Sequence, residues 1–246
     1  RGFRQITLLV QIVNSYRDGE WDFARLIGAV ADVPGIDRVR FTSPHPKDFP
    51  PALIAVIAAH PKICKHIHLP LQSGSDRILD LMGRGYTGDD YLALVERIKM
   101  VIPDVVLSTD IICGFCSESE EDFQDTCRMI ERVRFDSAYI FKYSERKNTI
   151  AARKYPDDVP EHIKGTRVAR LMEIQRRVTL ERNRDYIGKD VAILIERDAT
   201  RSSAQGMGKT DGNITVVWEK GTGLFEPGTF ITKRIFDASA ATLYGK

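Results

Sequence analysis

The chain has 246 residues, 43% of them hydrophobic and 28% charged, with a formal net charge of +2. That length fits one large domain, or one medium and one small domain, of ordinary soluble type. The near-balance of charge excludes a global field for polyanions, so any nucleic-acid surface must be local. Four irregularly spaced cysteines exclude a disulfide framework, and no apolar run reaches the roughly 18 residues of a membrane span.

In chain order, "ITLLVQIV" (Ile6–Val13) is a continuous apolar run, which predicts a strand buried on both faces. "DFARLIGAVADV" places Phe23, Leu26, Ile27 and Val30 at helical spacing, and Pro34-Gly35 ends that helix. "RVRFTSP" predicts a strand, "PPALIAVIAAH" a helix opened by proline, and "HIHLPLQ" the next strand. A short helix over Ser75–Met82 and a longer one over Asp89–Ile102 follow. "VVLSTDIICGF" reads as strand, "SESEEDFQDTCRMIERV" as helix and "SAYIFKYS" as strand. The helix has two candidate caps, Ser117 with Glu120 and Ser119 with Asp122. Five strand-then-helix units imply parallel strands joined by right-handed crossovers, too few for a closed eight-fold barrel.

The pattern changes after Pro160. A long basic helix ends near Gly188, and its Lys164–Arg184 stretch carries seven Lys/Arg against two Glu. The segments "KDVAILIE", "ITVVWEK", "GTFITKRIFDA" and "ATLYGK" predict a small barrel of the oligonucleotide-binding kind.

Ligands of parallel α/β folds gather at the carboxyl ends of strands. Five polar clusters stand there: Gln11 with Asn14, Thr42 to His45, Gln72 to Ser75, Ser108 to Asp110, and Tyr143 with Ser144. Together they predict one polar mouth, with Gly74 letting backbone approach a ligand. His45, His66 and His68 read as satisfied polar histidines rather than metal ligands, since no third ligand is close in sequence. Cys113-x-x-Cys116 precedes an acidic segment, which disfavours a thiolate. Cys64 and Cys127 have the wrong spacing to complete a metal set, so no metal ligand is assigned.

"HIHLPLQSGSDRILDLMGRGYT" resembles the central signature of the radical-SAM methylthiotransferases. Around it, "NSYRDGEWDFARLI", "RVRFTSPHPKDF", "STDIICGFCSESEEDF" and "RFDSAYIFKYSER" follow the family's order, and "MGKTDGNITVVW" with "PGTFITKRIFDASAATLYG" resembles its terminal TRAM domain. "LPLQSGS" with "SPHPKDF" is most similar to the tRNA-modifying branch. The branch acting on ribosomal protein S12 has His in place of Ser73, and the threonylcarbamoyladenosine branch has Ser in place of Pro70.

The resemblance implies an α/β fold: a partial (β/α) radical-SAM barrel over residues 1–183, including the basic helix, and a small all-β, OB-like TRAM barrel over 184–246. It implies that a four-iron–four-sulfur cluster reduces S-adenosylmethionine to a 5′-deoxyadenosyl radical, which abstracts hydrogen from C2 of an N6-modified adenosine beside the anticodon. An auxiliary cluster would supply sulfur and a second S-adenosylmethionine the methyl group. By this resemblance Gln11, Asn14, Gln72, Ser73, Ser75, Asp110 and Arg146 bind S-adenosylmethionine; the charge of the basic helix predicts that Arg176, Arg177 and Arg184 face RNA phosphates, with Arg201 and Lys209 of the barrel as lesser contacts. The expected partners are a tRNA anticodon stem-loop and a reductant protein, for a monomeric, cytoplasmic chain without a membrane partner.

The chain departs from the family at defined positions. It holds no CxxxCxxC motif, so the cluster ligands and the first barrel strand are expected upstream of Arg1. The family's Gly-Gln-Asn is Val10-Gln11-Ile12, its GFPGET is "GFCSES", and its SPRPGT is "SERKNT", which keeps Arg146. A non-catalytic RNA-binding module is the second expectation, and a sibling methylthiotransferase acting on ribosomal protein S12 or on threonylcarbamoyladenosine tRNA is the third.

Overall fold

A computed structural model describes residues 2–9, 12–42, 44–200, 202–221 and 226–246. Five parallel strands form the first body: β1 (Gln5–Leu8), β4 (Arg38–Phe41), β5 (His66–His68), β6 (Val106–Cys113) and β7 (Ser137–Lys142), with a small hairpin, β2 (Arg17–Asp18) and β3 (Trp21–Asp22), after the first. β1 pairs with β4, β5 with β6, and β6 with β7; a parallel bridge between Val39 and Ile63 links the two groups. The helices are α1 (Phe23–Asp32), α2 (Pro51–Ala59), α3 (Asp76–Leu81), α4 (Gly88–Val101), α5 (Glu120–Val133), α6 (Ile150–Lys154) and α7 (Glu161–Arg184).

The local chemistry explains the helix starts. Asp22, Ser75, Thr87, Ser119 and Thr149 cap α1, α3, α4, α5 and α6 with side-chain oxygens. Thr87 with Asp90 and Ser119 with Asp122 form reciprocal capping boxes. Ser117, the other candidate cap, instead has φ +61° and bonds Asp158 through its amide. One core lies between β1, β4, β5, β6 and helices α1, α2 and α4, with Ile27, Val39, Leu53, Ile57, Ile67 and Leu107 at its centre. A second, around Ile111, Phe123, Ile130, Leu171 and Ile174, fastens α5 and α7 to β6 and β7.

The second body is a closed antiparallel-dominated barrel of β8 (Asp190–Ala199), β9 (Ser202–Lys209), β10 (Thr215–Glu219), β11 (Phe230–Ala238) and β12 (Leu243–Gly245), in the order β10-β12-β11-β8-β9. Its interior holds Ile193, Ile195, Val216, Trp218, Ile235 and Leu243.

Two expectations are corrected. The first strand ends at Leu8 rather than Val13, and it is half-exposed, because among the described residues only β4 pairs with it. The barrel has a further strand, β9, in a polar Gly- and Ser-rich stretch outside the four segments expected to form it. A Cβ on its Gly208 would lie 2.2 Å from Leu194 O, so the close crossing of β8 and β9 demands glycine there.

The small barrel covers the amino-terminal end of the parallel sheet. Buried Arg38 donates to Lys209 O (2.8 Å) and Ala192 O (3.2 Å), and buried Arg40 to Asp211 O and Thr210 O (2.8 Å each). Asn183 at the end of α7 donates to Ser239 O (2.8 Å). The carboxyl ends of the strands, where ligands bind in such folds, stay open. No helix among the described residues is long and apolar enough to cross a membrane.

Candidate active site

Alternation along the strands sends Val39, Phe41, Ile67 and Ile111 under the helices and leaves Arg40, His66, His68, Ser108, Asp110, Tyr139 and Phe141 on the opposite, concave face. His66 and His68 share the Ser108 hydroxyl at 3.0 and 2.9 Å, and His68 Nε2 lies 3.2 Å from Asp110 Oδ2. Burial first, then Arg40, pushes the His66 ring down to about 3, so it is neutral near pH 7. Register places Tyr139 beside Asp110 and Phe141 beside Ile112. Tyr139 also meets the His68 ring edge-on at 6.0 Å. The concave face thus carries a polar row flanked by aromatic rings.

At the carboxyl end of β5 the chain turns at Gln72, which has φ +68°. Its amide donates to Asp110 O and its carbonyl accepts from Ile112, both at 2.8 Å, which fixes the turn against β6. Gln72 lines a cavity of about 530 Å³, walled by Met82, Ile112, Phe115, Tyr143 and Tyr155, with Asp80, Arg84 and Lys154 in its lining. Phe115 and Tyr143 stack edge-to-face at 4.9 Å. Gln72 Oε1 is buried beside this cavity's lining without a hydrogen-bond partner. A buried acceptor left open beside aromatic walls suits a planar heteroaromatic ligand that brings its own N–H or O–H donors.

The other expected cofactor residues are placed differently. Ser73 is fully buried, with its hydroxyl 3.4 Å from that of Thr126 and accepting from the Ser75 amide. Ser75 Oγ donates to Asp122 at 2.6 Å. Both hydroxyls therefore face α5, and the expectation that they share the pocket wall with Gln72 is corrected. Gly74 serves the same contact: a Cβ there would lie 2.5 Å from Asp125 O, so helix packing, not ligand approach, requires the glycine. Asn14 is buried as a clamp, donating to His45 O (3.0 Å) and Asp48 O (2.6 Å) and accepting from the His45 amide (2.8 Å). Asp110 lies one layer below Gln72 and is engaged with His68. Arg146 is exposed in the loop after β7. Gln11 lies outside the described residues. The sequence reading did not single out Phe115, Tyr139 or Phe141 for the site; for Tyr139 and Phe141, period-two placement beside Asp110 and Ile112 was the available signal.

The two cysteines of the β6–α5 loop point apart. Cys113 packs with Ile111, Phe123 and Ile130, and Cys116 with Ile78 and Phe115. Burial, then Glu118, pushes the Cys113 thiol up to about 12, and burial raises Cys116 as well. Among the described residues no group of three or more His, Cys, Asp or Glu is placed to hold a metal ion. The loop is shaped instead by the Gly114 amide, which donates to Glu118 Oε2 (2.7 Å), and by the Glu118–Arg167 ion pair at 2.8 Å.

The basic helix α7 is largely neutralised. Lys164 pairs with Asp157, Arg167 with Glu118 and Glu120, Arg170 with Glu173, Arg177 with Glu131 and Arg182 with Asp136. Of its seven cations, Arg176 and Arg184 alone have no ion pair among the described residues. Arg176 borders a groove of about 670 Å³ against the small barrel, with Met207 and Tyr244. Lys209 is half-buried and donates to Thr215 Oγ1 at 2.8 Å. Arg201 lies outside the described residues.

With this geometry in hand, the comparisons with known proteins decide the family. The family model of the Radical SAM superfamily matches residues 2–130.

The chain belongs to the Radical SAM superfamily.

Superfamily membership carries with it S-adenosylmethionine and a four-iron–four-sulfur cluster. Among solved structures, coproporphyrinogen III oxidase from Escherichia coli, a Radical SAM enzyme, shares the fold with a TM-score of 0.52 at 12% identity, over 76% of this chain and 50% of that one. Among curated relatives, tRNA-2-methylthio-N(6)-dimethylallyladenosine synthase of Porphyromonas gingivalis is 48% identical over all of this chain and 54% of its own length. The protein of the same name from Chlorobium chlorochromatii is 47% identical, over all of this chain and 55% of its own length. The chain spans about half the length of the curated relatives it matches.

Proposed function

We propose that this chain is the S-adenosylmethionine-binding and RNA-facing part of a tRNA methylthiotransferase that modifies C2 of an N6-substituted adenosine beside the anticodon. The carrying observation is the cavity at the open strand ends, where Gln72 Oε1 is buried and unpaired beside Phe115 and Tyr143. An adenosyl group fits that need, because its exocyclic amine and ribose hydroxyls are donors and its ring is planar. The 48% identity to a synthase of this name supports the reading.

When bound, S-adenosylmethionine cleaved reductively at the cluster supplies the power to abstract hydrogen from an unactivated C–H bond. The chain's own residues bind and orient. Gln72 accepts from the adenosyl group, Phe115 and Tyr143 exclude water from it, and the concave row of His68, Asp110 and Tyr139 faces the base to be modified. No described residues are placed to hold the cluster, and residues 184–246 are assigned to a TRAM-type RNA-binding barrel.

The test is equilibrium dialysis of labelled S-adenosylmethionine against the full-length, anaerobically reconstituted protein. Gln72→Leu keeps the volume but removes the acceptor, and should weaken binding about tenfold, the worth of one hydrogen bond. Undiminished binding would place the cofactor elsewhere.

A further inference from the structure

The paired state of α7 raises the question of where free positive charge does collect. One group of cations without carboxylate partners stands on the rim of the open strand ends. Arg17, Lys47, Arg84 and Lys154 have no carboxylate within ion-pair distance among the described residues. They also follow one another in space. Arg17 and Lys47 border one groove. The Lys47 ammonium lies 3.3 Å from where a Cβ on Gly85 would stand, next to Arg84 in the chain. Arg84 and Lys154 line the Gln72 cavity together. His45, held below its usual range by burial and then by Arg84, with a further push from Lys47, lies between these cations. Asp48 and Asp80 are the acidic members of the same linings.

We propose that this arc, from Arg17 through Lys47 and Arg84 to Lys154, is the phosphate-docking track for the RNA strand whose base enters the open end of the sheet. The inference rests on the RNA-modifying reading and assigns the contact to residues that the sequence pattern passed over. Four free cations along the rim, two of them in the lining of the Gln72 cavity, match a backbone bearing one negative charge per nucleotide, whereas five of the seven cations of α7 already hold carboxylates and would have to surrender those pairs first. Arg84 stays oriented over the Tyr86 ring, at 5.7 Å, which keeps its charge at the cavity edge.

The experiment measures tRNA-transcript binding by the full-length protein across a salt series. Three proteins are compared: wild type, the rim variant R17Q/K47Q/R84Q/K154Q, and the helix variant R176Q/R177Q/R184Q. A K47Q/K154Q protein, changed only at exposed lysines, guards against misfolding of the larger variant. Each lost phosphate contact removes roughly 0.7–0.9 from the slope of log K against log salt. The rim variant should lose about three units of slope, the double variant about one and a half, and the helix variant less than one. A helix variant that loses the slope while the rim variant keeps it overturns the arc, as do rim and helix variants that both keep it. Wild type without salt-dependent tRNA binding overturns the RNA reading itself, a separate outcome from either.

Discussion

The Arg40 guanidinium donates to Thr210 O at 2.8 Å, joining positions 170 residues apart. Its second arm takes Asp211 O, and neighbouring Arg38 takes Lys209 O and Ala192 O. Two buried cations are thus satisfied by carbonyls of the small barrel rather than by carboxylates. Arg40→Met should leave the Thr210 and Asp211 carbonyls without these donors and cost about 3 kcal/mol at the seam. Limited proteolysis between α7 and β8 should accelerate, while the melting of each body changes little. Unchanged cleavage would show that the seam is held by other contacts.

Removal of Arg167 isolates a carboxylate. Glu118 is buried beneath it, and burial already raises the Glu118 carboxyl above its ordinary value despite the Gly114 amide and Arg167. Arg167→Met should destabilise by about 3–5 kcal/mol at pH 8. The carboxyl of the variant rises further, so its folded form binds a proton that the unfolded form has lost. Stability is therefore present below the unfolded value and lost as pH rises through the folded one. Urea unfolding should show a smaller deficit at pH 5 than at pH 8.

Asp122 runs in the opposite sense. Burial opposes its charge, but donors from Arg77, Ser119 and Ser75 outweigh it and hold the carboxyl well below its usual range. A depressed folded value gives stability that is full above the unfolded value, near 3.8, and is lost as pH falls towards the folded one. Asp122→Asn should cost on the order of 2 kcal/mol at pH 7, and the difference in thermal unfolding between the two proteins should begin to narrow as pH falls below about 4.

Cys113 and Cys116 are packing residues in this account. In the full-length protein, the double variant Cys113→Ser, Cys116→Ser should retain the wild-type iron content per chain after anaerobic reconstitution. Loss of a cluster's worth of iron would make them ligands.

Much of the fold was legible because the signals were local. The capping box at Ser119, the apolar spacing of α1 and α4, and the five strand–helix units all follow from residues near one another in the chain. The unreadable parts depend on distant partners. Gly74 looked like a ligand-facing glycine because nothing in "LQSGS" announces that α5 passes 2.5 Å from its missing Cβ. Ser73 and Ser75 were expected to face the cavity for the same reason, yet their hydroxyls go to Thr126 and Asp122, some 50 residues on. The basic character of α7 was visible, but its carboxylate partners lie on α5 and the loops around it. Strand β9 escaped because closure of a barrel, not propensity, makes "SSAQGMGK" extended.

Nucleoside analysis by liquid chromatography and mass spectrometry tests the central claim most directly. The full-length, reconstituted protein is incubated anaerobically with S-adenosylmethionine, a reductant, a sulfide source and tRNA carrying N6-dimethylallyladenosine. The account predicts 5′-deoxyadenosine together with the 2-methylthio derivative of that nucleoside, both diminished in Gln72→Leu. Formation of 5′-deoxyadenosine with the tRNA adenosine unchanged, or tRNA binding with neither product, would contradict it.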